Sequence, residues 1–387
     1  MTQQISFQTV FVAMTGFLFV PMPVSACRAQ EAQIVVTSPA EWQVIQRTGF
    51  DPSAPKVQVA SGSAEVMIRG VCPDEQSSLR QLEYRLLRSS HSLDVLRDWT
   101  PLNVTAANRH GLEFSSAVTV PAGGWYRLEL RTLANSAGAT VNGFVASFGV
   151  GEVFLVAGQS YATNTNDQRL SVDDPEGRVV ALNTAKSSWA VANDPQPAPD
   201  RSDGGSIWPA VGDLLVKDLQ VPVGFANVAV GGTSSAEWLP EGSLHAGLID
   251  GGKQLGRFRA VLWQQGESDV IAKTSMEAYI TNLKNIRSAA VTAWGFEPVW
   301  LAAMSTHHPT VYNDPEGEGR IRKAITELTS IPGFGAGPDT DTLTGENRGD
   351  VNSRRHFSAI GQQRAAAMWH ATLMKRLKIA PQGADLN

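Results

Sequence analysis

Three short polar segments stand where continuous apolar runs stop: Gly158-Gln159-Ser160-Tyr161, Gly231-Gly232-Thr233 and Gln264-Gln265-Gly266-Glu267-Ser268-Asp269. Each carries glycine, which lets backbone approach a ligand closely, beside side chains able to donate or accept protons. A lone Gly-Gly is more simply a tight turn, but three such segments at successive strand ends of one sheet point to a site. Serine becomes a nucleophile only with a base to take its proton, an acid to orient that base, and donors for a tetrahedral oxyanion. Ser160 is the candidate nucleophile. Of the seven histidines, His91 and His110 fall in a strand-rich region, His370 lies inside the last helix, and the His307-His308 pair lacks metal-ligand spacing. His356, within Arg354-Arg355-His356-Phe357-Ser358, stands just before the final helix. Read alone it is the neighbour of a helix cap; the chain order, serine first and a histidine late in the sequence, makes it the candidate base.

The elements that must position these residues have two different periods. From about 34 to 149, Ala64 to Ile68, Leu112 to Phe114 and Tyr126 to Arg131 alternate apolar with polar residues, and Val57 to Val59 and Val141 to Phe148 do the same. Turn residues punctuate them at Pro73, Gly111, Pro121 to Gly124 and Gly138. Short alternating strands with turns between them predict a small β-sandwich domain over 34–149, with no polar constellation that reads as a site. After Gly149 the runs Val153 to Ala157, Val221 to Val230, Ala260 to Trp263 and Pro298 to Met304 are apolar on both faces, as central parallel strands require. Between them lie helical stripes, Ile207-Val211-Leu214-Leu215 and Met276-Tyr279-Ile280-Leu283-Ile286, with further helices over Arg320 to Leu328 and Ser358 to Leu377, Ser358 serving as N-cap. Alternating strands and helices over 150–380 predict a doubly wound parallel sheet, an α/β/α sandwich, whose ligands bind at the carboxyl ends of the strands.

Composition narrows the class. Across 387 residues, 32 basic and 37 acidic side chains give a net charge of -5, and no basic cluster is interleaved with aromatics, which argues against a nucleic-acid partner. Residues 1–27 carry no charged side chain, and their apolar run Val10 to Val20 precedes Val24-Ser25-Ala26-Cys27. That is the shape of a signal peptide, and the last four residues also resemble a bacterial lipobox, with Cys27 as a lipid anchor. The chain is expected to be exported, as a periplasmic, cell-surface or secreted protein. Beyond the leader no stretch reaches the ~18–20 apolar residues of a spanning helix. Cys72 is not expected to form a structural disulfide.

Taken in order, Gly158-Gln159-Ser160, Val230-Gly231-Gly232-Thr233 with Glu237-Trp238, Trp263-Gln264-Gln265-Gly266-Glu267-Ser268-Asp269 and His356-Phe357 resemble the successive blocks of the SGNH hydrolases. The sialate O-acetylesterase-like carbohydrate esterases are the most similar group, over roughly 151–377. The resemblance implies an SGNH-type fold and a serine esterase acting on an acetylated carbohydrate without a cofactor or metal. It makes Ser160 the nucleophile and His356 the base. The oxyanion hole would be the Ser160 and Gly232 backbone N–H groups and the Gln265 side-chain amide. The sequence departs from the family twice: Tyr161 follows the nucleophile where many members have Asn, and Ser353 stands three residues before His356 where Asp is common. The acid that orients His356 is therefore Glu267, as in some relatives, or Asp350 nearby, and a Glu267 that merely braces its own loop is an equal reading.

An α/β-hydrolase would also run serine before histidine, but its nucleophile elbow feeds straight into a packed helix. Here 161–178 is mostly polar, with Asn164, Asn166, Asp167, Asp173, Asp174 and Pro175, and reads as a loop over a pocket. No His-Glu-x-x-His cluster or Walker-type loop supports a metallohydrolase or a phosphate-binding enzyme. The remaining competitor is an exported, non-catalytic carbohydrate-binding protein that kept the fold, favoured by the missing Asp before His356. Trp189, Trp208 and Trp238 are candidate sugar-stacking residues, whereas Trp263 belongs to a core strand.

Overall fold

The computed structural model describes residues 33–50, 60–72, 82–89, 93–108, 111–133, 142–307, 312–349 and 355–379. Residues from Gln33 onward form one compact unit. The leader with Cys27, the stretch 57–59, and Pro73, Gly138, His91, His110, His308, Asp350 and Ser353 lie outside the described residues.

The alternating segments form two facing antiparallel layers. The described strands are β1 (Val35–Ser38), β2 (Val44–Gln46), β3 (Ser63–Cys72), β4 (Leu82–Arg88), β5 (Val95–Leu102), β6 (Val104–Asn108), β7 (Gly111–Pro121), β8 (Gly123–Thr132) and β9 (Asn142–Gly158). One layer runs β1-β3-β7-β6; the other pairs β5 with β4, β4 with β8 and β8 with β9, and β2 joins β9 in parallel. Successive side chains on a strand point to opposite faces, so Val66 and Ile68 of β3 meet Tyr84 and Leu86 of β4 and Leu128 and Leu130 of β8 in one core. The period-two reading of Ala64 to Ile68 and Tyr126 to Arg131 is this inward face.

The second half is built from β10 (Val179–Asn183), β11 (Ser188–Val191), α1 (Trp208–Leu219), β12 (Val223–Asn227), α2 (His245–Leu255) and β13 (Ala260–Gln264). It continues through α3 (Glu267–Ile271), α4 (Met276–Trp294), β14 (Val299–Met304), α5 (Pro315–Leu328), β15 (Phe334–Asp339) and α6 (Ala359–Ile379). The strand order is β11-β10-β12-β9-β13-β14-β15, parallel except for the antiparallel β11. Helices cover both faces. Phe154 and Val156 of β9 share a core with Val211 and Leu215 of α1 and Trp369 and Leu373 of α6. The alternate residues Val153, Leu155 and Ala157 pack with Leu248 of α2, Leu283 of α4 and Ile325 of α5. This is the doubly wound α/β/α sandwich expected, with the β-rich region ahead of it.

Strand β9 belongs to both halves. It pairs antiparallel with β8 from Asn142 to Val150 and parallel with β12 and β13 from Glu152 to Gly158. Glu152, fully buried at the changeover, accepts from Arg47 Nε at 2.8 Å, Arg259 Nε at 2.8 Å and Gln46 Nε2 at 3.1 Å. Burial pushes its carboxyl up, but the Arg259 and Arg47 guanidiniums overcome that and hold it down at about 2.

Some elements had weak sequence signals. Helix α2 carries Gly247, Gly251 and Gly252, which depress helix propensity. Packing accounts for two of them: a Cβ on Gly251 would lie 2.5 Å from Val228 Cγ1, and one on Gly252 2.4 Å from the Trp294 ring. Strand β15, Phe-Gly-Ala-Gly-Pro-Asp, has Phe334 as its one strand former and exists by pairing with β14. Helix α5 starts at Pro315 rather than at Arg320, because the Asp314 side chain accepts from Gly317 N–H at 2.9 Å and proline opens the first turn.

Candidate active site

The polar segments converge because their strands are neighbours. Gly158 of β9 lies opposite Gln264 of β13, and β12 ends on the other side of β9. Gly158 has φ +131, and a Cβ there would stand 2.2 Å from Gln264 O, so only glycine lets β9 turn at this point. The chain then winds into a 3-10 turn, Ser160–Ala162, held by Thr163 N–H and Thr165 Oγ1 donating to Ser160 O at 3.0 and 2.5 Å. Ser160 is 4% exposed, and among the described residues its Oγ makes no hydrogen bond.

The Gly231-Gly232 turn lies against this serine. A Cβ on Gly231 would be 3.7 Å from Ser160 Cβ. Gly231 N–H donates to Asp200 Oδ2 at 3.0 Å, and Asp200 Oδ1 accepts from Ser202 N–H and Oγ at 3.0 and 2.7 Å. Gly232 is exposed at φ +73 with nothing within 4 Å of a Cβ, so its surroundings are open. Among the described residues neither the Ser160 nor the Gly232 backbone N–H donates a hydrogen bond. Two adjacent uncommitted amides beside a buried hydroxyl can accept a developing oxyanion.

Gln265 and Glu267 are fully buried and heavily bonded. Gln265 Nε2 donates to Asp269 Oδ2 at 2.5 Å and to Thr233 O at 3.1 Å, while its Oε1 accepts from Tyr279 OH at 3.0 Å. An amide nitrogen has two hydrogens, and both have protein acceptors. The side chain thus ties the turn carrying Gly232 to the end of β13. Asp269 also accepts from Ser235 N–H and Oγ, each at 2.7 Å. Burial, with the Asp269 carboxylate adding to it, pushes the Tyr279 hydroxyl well above its ordinary range and keeps it a donor. Glu267 accepts from Arg355 Nε at 2.9 Å and NH2 at 3.1 Å, and from Gln159 Nε2 at 2.9 Å.

His356 enters from the loop before α6. Its ring packs edge-on to Tyr161, the residue after Ser160, with centroids 5.2 Å apart. Phe357 N–H donates to Asn166 Oδ1 at 3.1 Å, and Asp167 N–H to Phe357 O at 3.1 Å. The polar loop after Ser160 therefore holds the histidine segment, and Asn164 and Asn166 are buried within it rather than spread over a pocket. Tyr161, in place of the family's Asn, is buried; its OH donates to Arg355 O, and burial pushes that hydroxyl far above its usual range. Ser358 does cap α6, its Oγ accepting from Gly361 N–H at 3.2 Å.

The structure brings together Ser160, Gly232, Gln265, Glu267 and the His356 segment, while Asp350 lies outside the described residues. Trp189, Trp208 and Trp238 are all buried, at 7%, 0% and 0% exposure, so none offers a face to a sugar. Two of their indole N–H groups serve the site's frame, Trp208 donating to Ala162 O at 2.8 Å and Trp238 to Thr233 Oγ1 at 3.2 Å. Asp200 and Arg355 carried no spacing signal. Asp200 lies in an irregular loop, and Arg355 stands in the sequence only as the neighbour of His356.

A family model described as carbohydrate esterase, sialic acid-specific acetylesterase, matches residues 150–369, more than half of the chain. No curated protein matches it. Among solved structures the chain is similar to a carbohydrate acetylesterase from Xanthomonas citri, at 15% identity and a TM-score of 0.52, over 88% of this chain and 74% of that one. At that identity the likeness is one of fold. A protein from Arabidopsis thaliana matches at 17% identity and a TM-score of 0.47, over 58% of this chain and 98% of its own. A carbohydrate esterase family 3 protein from Talaromyces cellulolyticus matches at 12% identity and a TM-score of 0.40, over 59% of this chain and 100% of its own.

Proposed function

The chain belongs to the sialic acid-specific acetylesterase family of carbohydrate esterases and is a carboxylic ester hydrolase; from that premise we propose that it removes O-acetyl groups from carbohydrate through an acyl-enzyme on Ser160, with His356 as general base. The observation that carries the reading is the buried Ser160 hydroxyl beside the two uncommitted amides of Ser160 and the exposed Gly232. In this mechanism Ser160 Oγ attacks the acetyl carbonyl carbon as its proton passes to His356. The carbonyl oxygen becomes the oxyanion and takes the Ser160 and Gly232 N–H groups. Collapse breaks the C–O bond to the sugar, and His356 returns its proton to the leaving alkoxide. Water, deprotonated by the same histidine, then releases acetate. Each oxyanion donor is worth ~3–4 kcal/mol at such a centre. Gln265 contributes in this scheme by fixing the turn that carries Gly232, and reaches the oxyanion itself only by giving up Asp269 or Thr233. Glu267 is the carboxylate assigned to orienting His356.

The substrate is an acetylated carbohydrate. Trp189, Trp208, Trp238 and Trp263 are packed inside and supply no binding platform. The test is hydrolysis of 4-nitrophenyl acetate and of a panel of O-acetylated glycans, with acetate release measured for wild type and Ser160→Ala. Turnover by the wild type with a loss of about 10³-fold or more in the variant is expected. A Ser160→Ala protein that hydrolyses acetates as fast as wild type sinks the nucleophile assignment.

A further inference from the structure

One buried carboxylate joins the residue before the serine to the residue before the histidine. Gln159 Nε2 donates to Glu267 Oε2 at 2.9 Å, and Arg355 closes a two-point ion pair on the other side, Nε to Oε1 at 2.9 Å and NH2 to Oε2 at 3.1 Å. Glu267 is 0% exposed and Arg355 27%. Charge-assisted, bidentate pairs are directional and strengthen where water is excluded, so a slide of either segment would stretch bonds that resist it.

Both ends of this chain of contacts are themselves fixed. Gln159 Oε1 accepts from Ser268 N–H at 3.0 Å and Gly266 N–H at 3.3 Å, locking its side chain across the start of α3. Glu267 N–H donates to Ser305 O at 3.0 Å at the end of β14. On the histidine side, Arg355 O accepts from the Tyr161 hydroxyl and from Arg348 NH1 at 3.1 Å, and His356 O accepts from Gly349 N–H at 2.8 Å. The main chain at Arg355 and His356 is thus held on one side by the loop 340–349 and Tyr161, and the Arg355 side chain is its tie to α3.

We infer that Arg355 is a positioning residue for His356, and that the Gln159–Glu267–Arg355 chain sets the spacing between the proposed base and the proposed nucleophile. The inference rests on the Ser160–His356 reading given above and supplies what Ser353, standing where relatives often have Asp, does not. Glu267 then acts on the histidine through Arg355 as well as by its charge. Arginine suits this role better than lysine because its planar fork matches both carboxylate oxygens.

The experiment measures kcat and KM on 4-nitrophenyl acetate for wild type, Ser160→Ala, Arg355→Met, Arg355→Lys, Glu267→Gln and the double variant Arg355→Met/Glu267→Gln, each with its melting temperature. Misplacing a reacting group by an ångström costs on the order of 100-fold, so Arg355→Met should lower kcat by about 30- to 100-fold while KM moves by less than about threefold. Arg355→Lys should recover part of that loss, which a general packing role does not predict. The double variant should be no slower than the worse single one, since both cut the same chain. It leaves no unpaired buried charge, so it keeps the test readable where a single variant fails to fold. The inference is overturned if Arg355→Met or the double variant keeps kcat within about twofold of wild type, or if the two single losses multiply. Those outcomes, with Ser160→Ala inactive, leave the esterase reading standing; an active Ser160→Ala removes both.

Discussion

The two regions joined by β9 handle polar side chains in opposite ways. In the β-rich half a row of charged residues stands on the outer face of the β4–β8 pair. Arg85 and Arg127 both meet Glu129, at 2.6 and 2.7 Å, and Arg131 meets Glu83 at 2.8 Å, all partly exposed. The inner face is apolar. In the α/β half the strand-end rim buries Gln159, Gln264, Gln265, Glu267 and Asp269 completely. An unbonded polar group costs several kcal/mol to bury; Gln159, Gln265, Glu267 and Asp269 are covered by hydrogen bonds that also hold the Gly231-Gly232 turn or the His356 loop, whereas Gln264 accepts from Trp369 Nε1 at 3.0 Å and its Nε2 has no partner among the described residues. Polar residues that a fold accepts inside its core, gathered at one end of a parallel sheet, mark the site. Glu152 is the instructive exception, a buried carboxylate that serves only the joint between the halves.

Breaking that comparison requires substitutions of matched chemistry in each place. The largest effect is expected at the rim: His356→Ala should lower kcat by about 10³- to 10⁴-fold with little change in melting temperature, and a kcat near wild type would show the rim's histidine to be structural. Next comes the joint. Glu152→Gln leaves Arg47 and Arg259 without their carboxylate and should cost about 3–5 kcal/mol of stability in denaturant unfolding. The wild-type contribution has a defined acid dependence. Glu152 titrates at about 2 when folded against 4.5 ordinarily, so the stability it adds is present above pH 4.5 and drains away as pH falls from there through 2. Unfolding followed at neutral pH and at pH 3 should therefore show a smaller gap between wild type and Glu152→Gln at the lower pH. A smaller loss is expected for Asp200→Ala, which frees the Gly231 N–H: about ten- to thirtyfold in kcat, with Asp200→Asn losing less, because its single carbonyl oxygen can still accept from Gly231 N–H while the bond from Ser202 N–H is given up. Least of all should follow from Arg131→Met on the outer β face, within about 1 kcal/mol of wild-type stability and with kcat unchanged. An activity loss there would mean that the β-rich region shares in catalysis.

Much of the frame was legible because apolar periodicity reports burial directly. The change from alternation at Tyr126 to Arg131 to the unbroken run Val153 to Ala157 marked the passage from a two-layer sheet to a strand covered on both faces. Helices α4 and α6 were legible for the same reason. What escaped were elements held by neighbours rather than by their own residues: the glycine-rich α2, the edge hairpin β10–β11, and β15. Helix α2 needs its glycines to approach Val228 and Trp294 closely, and a propensity reading counts those same glycines against it.

The site divides along the same line. Local sequence determined which residue types stand at the strand ends, since the serine, the paired glycines and the Gln-Gly-Glu segment each terminate an apolar run, and their chain order carried the family. Only tertiary structure decided how they are engaged. It turned Tyr161 inward against His356, buried the tryptophans that read as sugar platforms, and gave both Gln265 donors protein partners. It also drew Arg355, unremarkable in sequence, across 88 positions onto Glu267. Periodicity constrains the side a residue faces, whereas hydrogen-bond partners depend on which loops meet at the sheet's end, and that is settled by packing of the whole chain.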